Sequence, residues 1–266
     1  MTTTLDLPGA AIRRLGFALL LCAFAAPAGA QAQTAPSPYE PKSGQEGKDV
    51  VWVPTPQIVV DKMLDLAKVG PRDFVMDLGS GDGRTVISAA RRGARALGVE
   101  YNPDMVDLSR RNAAKEGVAG KATFVKADLF ATDFSRASVI TMFLLPEINL
   151  KLRPKILALK PGTRIVSNTF PMGDWEPDET VTVGEGCDAT WCTVLFWIVP
   201  ARVAGTYKLP QGELTLKQQH QRLSGFLVTE GKSHALQGRV RGEEIRFSAG
   251  GRKYVGKVNG KTLELR

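Results

Sequence analysis

Residues 75–84 read Val-Met-Asp-Leu-Gly-Ser-Gly-Asp-Gly-Arg, an apolar run that ends in a carboxylate and three alternate glycines. A strand running into a glycine-rich turn that opens a helix binds nucleotide-like ligands at the carboxyl end of a parallel sheet. Gly79, Gly81 and Gly83 let the backbone approach the ligand, Ser80 lies between the first two, and a helix starting near Arg84 aims its free amides at it. A dinucleotide fingerprint, G-x-G-x-x-G, needs glycine at position 84, where this chain has Arg84. Asp77, two residues before the first glycine, suits a ligand with a cationic amino group better than it suits a pyrophosphate. Glu100 stands 17 residues after Gly83, where a carboxylate accepts from both ribose hydroxyls. Dinucleotide folds share that feature, so Glu100 does not discriminate.

These residues need a scaffold that brings strand ends together. Apolar runs predict strands at 73–78, 96–99, 122–125, 138–143 and 164–167, and helices fit 84–92, 103–115 and 147–159. Thr55-Pro56 reads as an N-cap and first helical position for a further helix over 56–68, and Asn102-Pro103 reads the same way for 103–115. Continuous apolar strands alternating with helices indicate a parallel sheet covered on both faces. Segments 180–184 and 192–200 have no helix between them and predict an antiparallel pair at the sheet's end. The expected fold is α/β, a doubly wound Rossmann-like sheet, followed by a small all-β module.

The module begins near residue 205. It contains an internal repeat, Leu236-x-Gly-Arg-Val-x-Gly-x-x-Ile-x-Phe247 against Tyr254-x-Gly-Lys-Val-x-Gly-x-x-Leu-x-Leu265, 18 residues on. Each copy reads as a hairpin, with Arg241-Gly242 and Asn259-Gly260 as the turn pairs. Residues 205–266 carry 12 Lys and Arg against 5 Asp and Glu, which is +7 of the chain's +8. Any affinity for an acidic partner or membrane surface therefore belongs to this module. Its cations are scattered between strands without stacked aromatics, so no specific nucleic-acid partner is expected.

Among 266 residues there are three cysteines and two histidines. Cys22, Cys187 and Cys192 lack Cys-x-x-Cys spacing, and His220 and His234 lie near the C-terminus, which argues against a zinc site or a Ser-His-Asp hydrolase in the first two-thirds. No metal is expected. Arg13-Arg14, the apolar run Leu15–Ala26 and the small residues Ala28-Gly29-Ala30 fit a secretory signal peptide over 1–30, cleaved after Ala30 or Ala32. The run falls well short of the roughly 20 residues that cross a bilayer. Residues 31–50 are polar and contain Pro36, Pro38 and Pro41, which reads as a linker. The expected location is periplasmic or extracellular, with membrane association as the alternative, and Cys187 and Cys192 are either disulfide-bonded or reduced and half-buried.

The loop over 77–84 resembles motif I of the seven-β-strand class of S-adenosylmethionine (SAM) methyltransferases. That resemblance implies SAM as cofactor, with Asp77, Gly79, Ser80, Gly81, Gly83 and Glu100 around it, Asp128-Leu129 against the adenine, and Tyr101 either flanking the adenine or packing. Trp52-Val-Pro-Thr-Pro56, Ala127-Asp128-Leu129, Pro161-Gly-Thr-Arg-Ile-Val-Ser167, Phe170-Pro171 and Trp175 further resemble the mitochondrial lysine methyltransferases of the adenine nucleotide translocase and the ATP synthase c-subunit. The likeness covers residues 51–176, within an expected methyltransferase domain at 51–204. It implies methyl transfer to a lysine amine of a protein substrate. A monomer is expected.

Phe143-Leu-Leu-Pro146 replaces the Asn/Asp-Pro-Pro-aromatic motif of enzymes that methylate adenine or glutamine amide nitrogen, so those acceptors are disfavoured. Phe143, Glu147, Asn168, Thr169 and Phe170 fall at or beyond predicted strand ends and are the substrate-side candidates; no general base is evident. The alternative is an exported binding module that kept the fold without turnover, since SAM is made in the cytoplasm. Retention of Asp77, the loop glycines, Glu100 and Asp128 favours the enzyme.

Overall fold

The computed structural model describes residues 39–188, 190–260 and 262–265. The expected leader and cleavage site lie outside the described residues. Tyr39–Arg266 forms one compact unit.

Its first sheet has seven strands: β1 (Phe74–Leu78), β2 (Arg95–Glu100), β3 (Ala122–Lys126), β4 (Val139–Met142), β5 (Arg164–Asn168), β6 (Glu179–Thr182) and β7 (Thr193–Ile198). They lie in the order β3-β2-β1-β4-β5-β7-β6. The first five are parallel, and β7 pairs antiparallel with both β5 and β6. The apolar runs in β1, β4 and β5 follow from burial on both faces: every residue of β4 is buried, and separate apolar clusters form on the two sides of the sheet.

Four helices cover it: α1 (Gln57–Leu66), α2 (Arg84–Arg91), α3 (Pro103–Lys115) and α4 (Pro146–Ile156). α1 buries Val59, Val60, Met63 and Leu64, one stripe at helical spacing. α3 starts as expected, with the Asn102 side chain accepting from Asp104 N at 2.9 Å and proline at the first helical position. α1 differs from expectation. Its N-cap is Pro56, with no side-chain cap, and Thr55 is buried, its carbonyl accepting from Arg84 Nη1 at 2.9 Å. Thr55 therefore anchors the entry segment to the glycine loop. No helix among the described residues is long and apolar enough to cross a membrane.

The second sheet is an antiparallel meander of seven strands in chain order: β8 (Gly205–Leu209), β9 (Gly212–Gln219), β10 (Arg222–Thr229), β11 (Lys232–Arg241), β12 (Glu244–Ala249), β13 (Arg252–Asn259) and β14 (Thr262–Leu265). Burial alternates along β10 and β12, so one face builds a core of its own around Leu214, Leu227, Val240 and Ile245. Each repeat is a hairpin, but its turn sits one residue later than expected. Arg241 faces Glu244 and Asn259 faces Thr262, so Gly242 and Gly260, both with positive φ, open the turns and Asn259 still belongs to the strand.

Much of the module's charge is used within the chain. Arg222 pairs with Glu176, Arg239 with Asp178 at 3.5 Å, and Arg241 with Glu179 at 2.7 Å. Gln221 Nε2 donates to the Glu176 carbonyl at 2.6 Å, and Ala201 N donates to the Gly242 carbonyl at 2.7 Å. Acidic partners for these three arginines are thus present in the same chain, at Glu176 and Asp178 before β6 and at Glu179, its first residue.

Candidate active site

The strand order reverses between β1 and β4, and a cavity opens at the carboxyl ends of these strands, where ligands bind in open α/β sheets. Asp77 is set by register: Gly98 flanks it on β2 and Thr141 on β4. The Thr141 hydroxyl donates to Asp77 Oδ1 at 2.6 Å. Burial pushes the Asp77 carboxyl up from 3.8 to about 7, opposed by that hydrogen bond and assisted by the negative charges of Glu100 and Asp82. A carboxylate so placed gains from an incoming cation, which restores its ionised form. Beside it the Ser80 hydroxyl is buried and has no hydrogen-bond partner among the described residues, and a buried polar atom of that kind calls for a ligand or water.

Glu100, at the end of β2, holds the glycine loop in place. Its Oε2 accepts from Gly81 N at 2.9 Å, and its Oε1 accepts from Tyr101 N at 2.9 Å and Asn102 N at 3.0 Å. Gly81 has φ +53°, and a Cβ there would stand 2.5 Å from Trp52 Nε1. Gly83 does a different job from the other two. It does not line the cavity, and a Cβ on it would meet the Phe124 ring at 2.8 Å and Ser109 at 2.9 Å, so it is the glycine of close helix–strand packing. Arg84, where the dinucleotide fingerprint has glycine, ties the loop down through Asp82 Oδ2 at 2.6 Å and the Thr55 carbonyl.

Asp128, Leu129 and Tyr101 line the opposite wall. Asp128 is paired with Lys48, Nζ to Oδ2 2.5 Å, and the same ammonium stands 4.6 Å from the centre of the Tyr101 ring. The Lys48 ammonium and the Phe130 amide hold the Asp128 carboxyl below its usual range. Lys48 belongs to the stretch expected to be a linker. Residues 45–50 instead line the cavity, held by Trp52 N donating to the Gln45 carbonyl at 2.9 Å and Gly44 N donating to the Trp52 carbonyl at 2.8 Å.

On the acceptor side, Phe143 lines the cavity beyond the end of β4 and stacks on Phe170, centroids 5.8 Å apart. Trp191, which sequence reasoning missed, closes the group at 5.3 Å from Phe170 and 6.1 Å from Phe143. Its one sequence signal is its place beside Cys192, which forms a disulfide with Cys187. Asn168 is fully buried, and its Nδ2 has no partner among the described residues. Thr169 holds φ +61°, a strained value for a β-branched residue. Glu147 is exposed in the first turn of α4 and outside the cavity lining, where a carboxylate complements the helix dipole.

Residues 77–179 match the ANTKMT methyltransferase domain. A protein-lysine N-methyltransferase of Saccharolobus islandicus is 46% identical over 140 residues, 52% of this chain and 87% of that protein. The human lysine N-methyltransferase of the ATP synthase c-subunit is 41% identical over 121 residues, 45% of this chain and 51% of that protein. The crystal structure of an RNA methyltransferase from Salinibacter ruber in complex with S-adenosyl-L-homocysteine is 50% identical, with TM-score 0.53 over 57% of this chain and 96% of that one. A buried carboxylate awaiting a cation, an orphaned serine hydroxyl and a glycine cradle fit the amino acid and ribose of that cofactor. The chain belongs to the ANTKMT methyltransferase family and is a SAM-dependent methyltransferase.

Proposed function

We propose that this enzyme methylates lysine amines of a protein and that it works outside the cytoplasm. The observation that carries the acceptor assignment is the apolar surface at the cavity's edge, where Phe143 and Leu144 follow β4 and Phe170 stacks on Phe143. The lysine methyltransferases among its relatives support the same acceptor.

SAM supplies, when bound, an electrophilic sulfonium methyl that passes to the acceptor nitrogen by in-line displacement. Asp77 would take the cofactor's ammonium, Glu100 the ribose hydroxyls, and Gly79 and Gly81 admit the chain to van der Waals distance. A lysine is nucleophilic only as the free amine. The aromatic surface orients the acceptor side chain, and the proton of its ammonium passes to solvent before transfer, since Glu147 stands outside the cavity. Alignment by Phe143 and the loop then supplies the catalytic advantage.

The name of the Salinibacter ruber protein favours RNA as a second acceptor class. The test is to incubate the enzyme with SAM and either a protein extract or total RNA, then analyse lysines and nucleosides by mass spectrometry. Methylated lysine is expected; methylated nucleosides without methyl-lysine would contradict the assignment. Export is supported by the leader-like pattern over 1–30 and by the Cys187–Cys192 disulfide, a bond that persists in oxidising compartments. N-terminal sequencing after cell fractionation tests it, with Gln31 or Gln33 expected as the first residue and an intact Met1 in the cytoplasm as the contrary result.

A further inference from the structure

We infer that Trp191, carried on the disulfide-closed loop between β6 and β7, completes with Phe143 and Phe170 a binding surface for the alkylammonium group of the acceptor. The inference rests on the lysine reading above and adds a residue and a staple to it. Each ring is half-buried, and the three centroids lie 5.3–6.1 Å apart. The rings touch, so a cation seats on the exposed side they share. An ammonium within about 6 Å of an aromatic centroid is attracted by the ring's quadrupole, most strongly by tryptophan. Phe143 belongs both to this cluster and to the cofactor cavity, which puts the ammonium surface beside the place where the methyl group is delivered.

The surface is built, not incidental. The Phe170 carbonyl is held by the Ser167 hydroxyl at 2.7 Å and by Asn149 Nδ2 at 3.1 Å. Thr169 keeps φ +61° so that its N–H reaches the Thr193 carbonyl at 2.6 Å, tying the Phe170 turn to the strand that follows Trp191. The loop itself is exposed around Gly184 and Gly186 and is closed by Cys187–Cys192, Cα to Cα 6.1 Å, with Val183 N donating to the Cys192 carbonyl at 2.8 Å. Trp191 adjoins one cysteine of that bridge, so the bridge limits where its indole can go.

The test titrates the enzyme with n-butyltrimethylammonium and, separately, with choline against its uncharged isostere 3,3-dimethylbutan-1-ol, following the ligands' own NMR signals. Trp191→Ala, Trp191→Phe and Cys187→Ser/Cys192→Ser are compared with wild type. S-adenosylhomocysteine affinity, measured in parallel, should stay within about twofold in all of them and reports that the cofactor site is folded. Choline should bind better than the isostere. Trp191→Ala should lower affinity for both ammonium ions by about tenfold, Trp191→Phe by less, and the double cysteine variant by an intermediate amount. Equal binding of choline and the isostere, or unchanged ammonium binding in Trp191→Ala, overturns the inference. Methylation of poly-L-lysine separates the two readings. If the KM for poly-L-lysine is unchanged in Trp191→Ala, the ammonium surface is wrong and lysine methylation stands. Trp191-dependent ammonium binding with no methylation of poly-L-lysine or of protein lysine leaves the surface in place and removes lysine as its acceptor.

Discussion

The described residues form two seven-stranded sheets of opposite character. In the first, parallel strands send every carboxyl end to the same edge, so residues distant in sequence converge: Asp77, Glu100, Asp128, Phe143 and Phe170 all follow or end a strand there. In the second, the antiparallel strands alternate direction and are joined by tight turns, so their ends alternate between two edges. Chemistry here therefore follows from strand direction and the switch point between β1 and β4, not from sheet size. The two sheets also use charge differently. Asp77 is buried and has its carboxyl raised to about 7, whereas the module's exposed arginines are matched by acids of the same chain.

The largest effect that would undo this contrast is expected at Asp77. Asp77→Ala should weaken binding of S-adenosylhomocysteine by at least about 100-fold, roughly 2.7 kcal/mol, since it removes a charge-assisted partner from a buried site; equilibrium dialysis reads it. The same residue carries a stability cost. Its native carboxyl lies near 7 against 3.8, so between those values the folded protein holds a proton that the unfolded chain has lost, and stability falls as pH rises through that window. Cofactor-free Asp77→Asn should therefore melt above wild type at pH 8 in a thermal scan. A second, smaller effect is expected at Gly81. Gly81→Ala drives a Cβ to 2.5 Å from Trp52 Nε1 and holds alanine at φ +53°, and should cost about tenfold in cofactor affinity, near 1.4 kcal/mol. Lys48→Ala frees Asp128 on the exposed rim, and a change in that affinity of no more than about threefold is expected. Smallest is Arg241→Ala in the module, whose pair with Glu179 is half exposed on both sides; denaturant unfolding should move by less than about 0.5 kcal/mol, with turnover unchanged.

How legible each region is in the sequence follows the same division. The strands β1, β4 and β5 are readable because burial on both faces makes them largely apolar runs, and the glycine loop is readable because backbone approach to a ligand admits few alternatives to glycine. Gly83 carries the right residue for another reason, packing against Phe124, which one sequence cannot tell from ligand contact. In the module, Asn259-Gly260 suggests a turn one residue early, because the pairing of Asn259 with Thr262 is set by register across the whole hairpin and not by the dipeptide. What escapes entirely is long-range. Lys48 meets Asp128 across 80 residues, and the polar strap around it has no periodicity to announce a contact. Trp191 reads as a loop residue because nothing local shows that the turn after β5 comes to meet it.

We propose that Asp77, a buried carboxylate lining the cavity, takes the cofactor's ammonium. Calorimetric titration of wild type and Asp77→Asn with S-adenosylhomocysteine, at pH 6 and pH 8 in buffers of different ionisation enthalpy, tests this directly. With a free carboxyl near 7 that ionises on binding, wild type should bind several-fold more tightly at pH 8 and release protons on binding at pH 6, about tenfold in affinity per pH unit at the limit. Asp77→Asn should bind far more weakly and show neither the pH dependence nor the proton release. Equal affinities at the two pH values, or an Asp77→Asn variant that binds as wild type does, would contradict it.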